Sequence, residues 1–334
     1  MYRGAVASRR VIGIDTGGTK LLGGVVDEDG TVHTRVHRLF RGASREEALS
    51  IMSDAVEEAR AHAPDVEAVG FGIPSLVDQR KGTSVTSVHL PIEDVPFRDI
   101  MTERLGLPVF LDNDGNLAAL VEQRSGAARG ARHVVLLTLG TGIGGGLVLD
   151  GKVYRGSIGA GAELGHMVID YDGPRCQGNC PNRGCLEALV SGTAIGRAGT
   201  LAAQRNPGTA LWRSLSEGDD ITGRLVTEHA QAGDEVARRV LERAGRHLGV
   251  GIANLVNIFN PEVVVVGGGA VGAGELLLGP ARAVVGERAL RPSRDLVRIR
   301  AAHHGPEAGM LGAALLAFDG LAERGGVEGA RSTA

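Results

Sequence analysis

A cluster of one histidine and three cysteines occupies a stretch of 20 residues, at His166, Cys176, Cys180 and Cys185. These side chains supply the four ligands of a closed tetrahedral Cys₃His zinc site, which leaves no coordination position open for water. A closed site is structural, so we expect zinc to hold the glycine-rich loop at 171–185. The alternative is three unligated thiols, because the cysteines are too few and too close together for a disulfide framework.

Two carboxylates flank this cluster in the sequence. Glu163 lies just before His166, and Glu187 lies just after Cys185. A bound metal would fix both side chains, and carboxylates held in this way are suited to hydrogen bonding with a polyhydroxylated ligand. The cluster lacks the second paired spacing of a zinc finger that binds nucleic acid.

An amide and a carboxylate, Asn113 and Asp114, come soon after the apolar run PVFL. A carboxylate at the end of a buried strand can accept a proton from a substrate hydroxyl, while the neighbouring amide binds adjacent hydroxyls. The same residues could instead form the N-cap and turn that open a helix at Leu117, because Asp and Asn are favoured at such positions. The sequence alone leaves both interpretations open.

Three glycine-rich turns follow apolar segments, in a chain that has 52 glycines among 334 residues. Glycine lets backbone N–H groups approach a phosphate closely, and a nearby hydroxyl or ammonium group can contact the same oxygens. For the first turn, an ordinary hairpin is the alternative. The candidate nucleotide contacts are Asp15, Gly17, Gly18, Thr19 and Lys20 in the first turn, Thr141 and Gly142 in the second, and Gly267, Gly268 and Gly269 in the third.

The second turn contains the spacing G-x-G-x-x-G at Gly140, Gly142 and Gly145. A dinucleotide-binding fingerprint must open a helix, whereas here an apolar strand at 147–149 and a tight Asp-Gly turn follow. We therefore expect a second phosphate-binding hairpin. A P-loop is also excluded for the first turn, because GxxxxGK followed by Ser or Thr is absent.

The elements that carry these motifs alternate between strands and helices, which predicts an α/β fold. The pattern of strand, glycine turn and strand at 10–27 recurs at 133–153, so we expect two related domains. Helices are predicted at 45–62, 97–105, 186–204, 234–258 and about 308–321, and buried strands at 66–74, 108–114 and 263–266. The polar residues 323–334 predict a disordered tail.

Charge and hydropathy exclude two classes of protein. The formal net charge is −3, so the chain lacks the basic excess that nucleic-acid binding requires. Charges or glycines interrupt every apolar stretch long enough to cross a bilayer, so no membrane span is expected. We expect a cytoplasmic protein, in a reducing compartment where clustered cysteines indicate a metal site.

At these residues the sequence resembles the ROK family of sugar kinases and repressors, in the actin-like ATPase superfamily, and most of all its glucokinases. The similarity covers about residues 10–320. The motifs that carry it are the turn at 15–20, Asn113 to Asn116, the run 140–146, Glu163 to His166, the cysteines with Leu186 and Glu187, and Asn260-Pro261-Glu262. The resemblance implies two actin-like (ribonuclease H-like) domains with mixed sheets flanked by helices, and nucleotide and sugar in the interdomain cleft. The small domain would comprise 1–116 with a helix at about 306–322, and the large domain 117–305 with the zinc loop.

The resemblance also implies a function, the ATP-dependent phosphorylation of the 6-hydroxyl of a hexose, with glucose as the expected substrate. Asp114 would be the catalytic base. The sugar would be bound by Asn113, Asp114, Glu163, His166 and Glu187, with His166 also on the zinc. The first two turns would surround the phosphates with Mg²⁺, and Gly267 to Gly269 would line the adenosine site. A homodimer or homotetramer is expected, with no nucleic acid or membrane as partner.

Three departures from the family pattern concern the zinc geometry, the choice of hexose and the start of a helix. Three residues separate Cys176 from Cys180, where the family usually has one. His89 stands in a loop near the sugar where many members have Asn, which leaves N-acetylmannosamine, fructose, mannose and allose open as substrates. Gly115 replaces a frequent Ala. Regulators of the family carry a helix-turn-helix before the first turn, and only about ten residues precede Val11, so we expect an enzyme.

Overall fold

The computed structural model describes residues 8–40, 43–87 and 90–332, and His89 lies outside them. The chain divides into two units. The first comprises Met1–Val121, Arg155–Gly161 and Pro306–Ala334, and the second comprises Glu122–Tyr154 and Ala162–Gly305. The first segment of unit 1 ends at Val121, a few residues after the boundary at 116 that the sequence suggests. The sequence does not predict that the short segment 155–161 belongs to the first unit.

The strands and helices have the following bounds. The strands are β1 (Arg10–Thr16), β2 (Lys20–Asp27), β3 (Val32–Leu39), β4 (Val69–Ile73), β5 (Ser75–Asp78), β6 (Thr83–Ser87), β7 (Val109–Asn113), β8 (Val134–Leu139), β9 (Ile143–Leu149), β10 (Lys152–Val153), β11 (Val263–Gly267) and β12 (Arg298–Ala301). The helices are α1 (Arg45–Ala61), α2 (Phe97–Leu105), α3 (Asp114–Arg124), α4 (Leu186–Val190), α5 (Gly192–Arg205), α6 (Ala210–Glu217), α7 (Gly223–Gln231), α8 (Glu235–Phe259), α9 (Glu275–Arg288), α10 (Ser293–Leu296) and α11 (Ala308–Ser332). Among the described residues, no helix has both the length and the apolar character needed to cross a bilayer.

The first unit is built on a mixed sheet with strand order β3-β2-β1-β4-β7. β1 pairs antiparallel with β2 and parallel with β4, and β4 pairs parallel with β7. β4 is buried along its whole length because helices cover both faces of the sheet. On one face α1 and α2 pack against the strands, and on the other α11 contacts β1, β4 and β7.

Two strand glycines explain how α11 packs on this sheet. A Cβ atom at Gly13 would overlap the carbonyl oxygen of Met310, and one at Gly70 would overlap that of Ala313. The backbone of α11 therefore lies closer to the strands than any larger residue would permit. Some of the 52 glycines of the chain therefore allow the close contact between this helix and the sheet.

The second unit repeats the plan with a sheet of strand order β10-β9-β8-β11-β12. β8 and β9 form an antiparallel hairpin, and β11 pairs parallel with β8 and β12. The long helix α8 packs against α9, where Gly245 lies against the backbone of Leu277 and Gly249 against that of Ala281. The predicted α/β fold with two mixed sheets flanked by helices is confirmed, as are both hairpins.

Two predicted elements differ in the structure. The single helix expected at 186–204 is two helices, because Ser191 between them has an extended backbone and its side chain accepts a hydrogen bond from Ala194 N as the N-cap of α5. The last helix does not end near residue 321 but runs to Ser332, through most of the region predicted as a disordered tail. No proline interrupts that region, and its Ala, Glu and Arg residues favour helix, although its three glycines do not.

Candidate active site

The first glycine turn joins β1 to β2 in the first unit. Gly17 N donates to Lys20 O at 2.8 Å, so the turn is a hairpin, as the alternative interpretation held. Gly18 is partly exposed, and Thr19 and Lys20 are exposed, so backbone N–H groups, a hydroxyl and an ammonium group lie at the surface. This finding leaves phosphate binding open, because backbone N–H groups in turns can form an anion-binding concavity.

Asp15, at the end of β1, lies close to a second carboxylate. Burial raises the pKa of Asp15 to about 7, the negative charge of Asp114 adds to the rise, and the ammonium group of Lys20 partly opposes it. Gly309 at the start of α11 has no room for a Cβ atom beside the Asp15 carboxylate. The first unit therefore brings Asp15, Lys20 and Asp114 together, and the two carboxylates favour a cation or a proton between them.

Asn113 and Asp114 lie where β7 ends and α3 begins. The Oδ1 atom of Asn113 accepts from Gly115 N at 2.9 Å and from Asn116 N at 3.3 Å, while its Nδ2 donates to Ser75 O. The N-cap interpretation is therefore correct for Asn113. The carboxylate of Asp114 also accepts from Gly115 N, at 2.9 Å.

A third residue of this segment, Asp112, has a role that the sequence did not indicate. Its side chain is fully buried, and Oδ2 accepts from Arg155 Nε at 2.6 Å. Oδ1 accepts from Asn116 Nδ2 at 2.9 Å and from Asn113 N at 2.8 Å. Asp112 thereby holds the residues on both sides of Asp114, and Arg155 reaches it from 43 positions along the chain.

The second unit brings the four predicted zinc ligands together. Ligand atoms of His166, Cys176, Cys180 and Cys185 all lie within 4.8 Å of one another. Cys176 Sγ lies 3.6 Å from His166 Nδ1, and Cys180 Sγ lies 3.9 Å from Cys185 Sγ. These separations suit one tetrahedral ion with bonds of about 2.0–2.3 Å. Burial raises the pKa of the Cys176 and Cys185 thiols, and a divalent cation would offset that effect.

The two flanking glutamates differ in what they contact. Glu187 is buried, and its Oε2 accepts from Ile143 N at 2.7 Å, while its Oε1 lies 3.6 Å from Cys176 Sγ. The Glu163 side chain is 50% exposed, with Oε2 at 4.0 Å from His166 Nε2. Burial and the charge of Glu187 raise the pKa of Glu163, and His166 opposes this rise. His166 thus presents Nδ1 to the cysteines and Nε2 to Glu163.

A cavity of about 820 Å³ lies within the second unit. Its lining brings Gly140 and Thr141 of the second turn together with Gly269 of the third. The structure does not place the other candidates of these turns in the lining: Gly142 lies against Glu187, Gly267 ends the buried strand β11, and Gly268 packs on the backbone of Leu139 with φ of +84°. Sequence reasoning missed the walls contributed by α5, by α7 and by the segment just before α7, which include Thr193, Gln231, Asp220 and Thr222.

The chain is similar to known proteins over almost its whole length. The ROK family model matches residues 11–319. A glucokinase of Thermotoga maritima is 36% identical over 307 residues, covering 91% of this chain and 96% of that protein. A ROK family glucokinase from Streptomyces griseus, solved in complex with glucose and AMPPNP, is 36% identical with a TM-score of 0.82, covering 93% of this chain and 99% of that one.

Regulators are also among the similar proteins. A xylose repressor of Caldicellulosiruptor bescii is 32% identical over 252 residues, covering 74% of this chain and 62% of the repressor. The family match spans nearly all of the described chain, and the two mixed sheets, the strand-end carboxylates and the metal cluster lie within it. The chain therefore belongs to the ROK family.

Proposed function

We propose that this chain is an ATP-dependent hexose kinase that transfers the γ-phosphoryl group of ATP to the 6-hydroxyl of its sugar, with glucose as the preferred substrate. The kinase class is supported by glucokinases similar over more than nine-tenths of the chain. The observation that carries the proposal is the large cavity lined by Gly140, Thr141 and Gly269, because a nucleotide needs a pocket in which glycine-rich turns let the backbone approach its phosphates.

Asp114 would act as the general base. An ionised carboxylate can take the proton of the 6-hydroxyl as that oxygen attacks the γ-phosphorus. The position of Asp114 at the start of α3 supports this role, because Gly115 N donates to its carboxylate and helix N-termini stabilise negatively charged side chains. Asp112 and Asn113 would position the carboxylate, and Asn113 would also bind a sugar hydroxyl.

The phosphates and Mg²⁺ would be bound by the first two turns. Gly17, Gly18 and Thr19 offer backbone N–H groups and a hydroxyl, and Lys20 and Asp15 would balance the charges of phosphate and metal. Thr141 and Gly142 would contact the phosphates from the second unit, and Gly267 to Gly269 would supply the adenosine side. Phosphoryl transfer depends on positioning and charge stabilisation, which these groups provide without covalent catalysis.

The remaining sugar hydroxyls would be bound by Glu163, His166 and Glu187. Zinc held by His166, Cys176, Cys180 and Cys185 would be structural, since four protein ligands leave no position for substrate. It would fix the loop that presents these groups. We further propose a cytoplasmic homodimer or homotetramer that binds no nucleic acid, as the family resemblance implies, and light scattering of the purified protein tests its assembly.

The test of substrate and reaction is phosphorylation of a hexose panel with Mg-ATP. The panel contains glucose, mannose, fructose, allose and N-acetylmannosamine, and phosphorus NMR identifies the product. We expect the highest kcat/KM for glucose and the product glucose 6-phosphate. Higher kcat/KM for another sugar would reassign the substrate, and no turnover of any hexose would favour the sugar-binding regulator to which the xylose repressors point.

A further inference from the structure

The second glycine turn is held in place from one side. Gly192 N donates to Gly140 O at 2.8 Å, and Thr193 Oγ1 donates to Thr141 O at 2.9 Å. Both donors belong to the first residues of α5. Within the turn, which consists of two glycines and one threonine, Gly140 N donates to Gly142 O at 2.9 Å. The contacts from α5 add support from outside, because the glycines have no side chains that could pack against neighbouring residues.

Gln177 adds a contact from the metal loop to the same place. Its Nε2 donates to Ser191 Oγ at 2.8 Å and lies 3.4 Å from Thr141 O. Ser191 is fully buried and is the N-cap of α5. One amide of the metal loop therefore contacts both the cap of the helix that holds the turn and the turn itself.

The position of Gln177 depends on the two cysteines on either side of it. Gln177, Gly178 and Asn179 form the whole segment between Cys176 and Cys180. Cys180 N donates to Gln177 O at 3.3 Å, and Gly178 has a φ of +56°, so the segment is a tight turn. An ion that binds both sulfurs would fix the two ends of this turn and thereby the amide of Gln177.

We propose that Gln177 is a positioning residue that couples the metal cluster to nucleotide binding. With the metal bound, its amide holds Ser191 and Thr141 so that the turn keeps the shape in which Thr141 contacts the phosphates. This inference rests on the proposed function, because it requires the turn at 140–142 to be a phosphate site. It predicts that changes at Gln177 weaken the binding of Mg-nucleotide and leave the binding of glucose nearly unchanged.

The test compares three variants with their zinc content measured. Gln177→Ala removes the contact, and Gln177→Glu keeps the length of the side chain but replaces its N–H donor with a carboxylate. Asn179→Ala is the matched control, since Asn179 is an exposed polar residue of the same segment. Calorimetry measures the Kd of Mg-AMPPNP and of glucose, and differential scanning fluorimetry measures the melting temperature.

We expect Gln177→Ala to raise the Kd of Mg-AMPPNP by about 2- to 12-fold, the effect of one neutral hydrogen bond. Gln177→Glu should raise it further because its charge repels the phosphates, and Asn179→Ala should match the wild type. Zinc content, melting temperature and glucose Kd should stay near wild-type values in all three. Wild-type nucleotide affinity in both Gln177 variants, or equal losses for glucose and nucleotide, would overturn the coupling.

The same measurements separate this inference from the proposed function. A wild-type protein that binds Mg-AMPPNP and phosphorylates glucose, with Gln177 variants that bind nucleotide equally well, would overturn the coupling alone. A wild-type protein that binds no nucleotide would overturn the proposed function and the coupling together. Chelation of the metal gives a further readout, since it should weaken nucleotide binding by the wild type more than by Gln177→Ala.

Discussion

Arg155 donates a hydrogen bond from Nε to the buried Oδ2 of Asp112 across 2.6 Å. The other oxygen of this carboxylate accepts from Asn113 N and from the side chain of Asn116. The ion pair therefore holds the backbone before Asp114 and the helical turn after it. The position of Asp114, the proposed base, therefore depends on Arg155, which has no proposed role in the reaction itself.

Removal of this arginine should destabilise the protein. Arg155→Ala leaves the fully buried Asp112 carboxylate without its cation, and we expect the free energy of unfolding to fall by about 3–5 kcal/mol. The loss should lie in the lower part of that range because the Arg155 side chain is 30% exposed. Urea denaturation measures it. The control Arg224→Ala breaks an exposed pair with Glu228 and should cost at most about 1 kcal/mol; equal losses would contradict the role of Arg155.

Asp15 should make stability depend on pH. Its pKa of about 7 in the folded protein exceeds the value of about 3.9 for an unperturbed aspartate. The folded protein then holds the proton more tightly than the unfolded chain, so Asp15 lowers stability progressively as pH rises from about 4 to about 7. Asp15→Asn removes this dependence. Scanning calorimetry without nucleotide measures the melting temperature of Asp15→Asn minus that of the wild type. This difference should increase from pH 5 to pH 8. A difference that does not change with pH would refute the raised pKa.

The metal cluster should contribute to both stability and sugar binding. Cys185→Ser removes one ligand from a buried position, so the variant should lose its zinc. Its melting temperature and its affinity for glucose should fall together. Elemental analysis and calorimetry measure these effects, with Asn179→Ala as a control that retains all four ligands. A zinc-free variant with unchanged melting would show that the cluster does not stabilise the loop.

The glycines under α11 should tolerate no side chain. Gly70→Ala places a Cβ atom against the carbonyl of Ala313, and we expect a loss of about 1–3 kcal/mol in the free energy of unfolding. Gly286→Ala in α9 is the matched control, because in the described part of the chain no atom beyond the neighbouring backbone of α9 lies within 4 Å of its new Cβ. That variant should be as stable as the wild type or up to about 1 kcal/mol more stable. Equal changes in the free energy of unfolding for the two variants would contradict the close packing of α11.

The features that could be predicted from the sequence are those formed by residues close together along the chain. The hairpins, the helix α1 and the four metal ligands follow from local spacing, and the structure contains each of them. The break at Ser191 had a local signal too, since Ser is favoured as an N-cap.

Contacts between distant segments could not be predicted in this way. The pairing of Arg155 with Asp112, and the contacts of Gln177 with Ser191 and Thr141, require the fold itself. Likewise, the cavity walls from α5 and α7 carry no motif, because ordinary helical residues line them.

The central claim is that Asp114 is the general base of a hexose kinase, and the kinetics of Asp114→Ala test it most directly. The control is Asp99→Ala, which removes an exposed carboxylate of α2 in the same unit. We expect Asp114→Ala to lower kcat for glucose by about 10²- to 10⁴-fold, with glucose binding and the circular dichroism spectrum retained, and Asp99→Ala to match the wild type. A folded Asp114→Ala protein with more than about a tenth of wild-type kcat would contradict the claim.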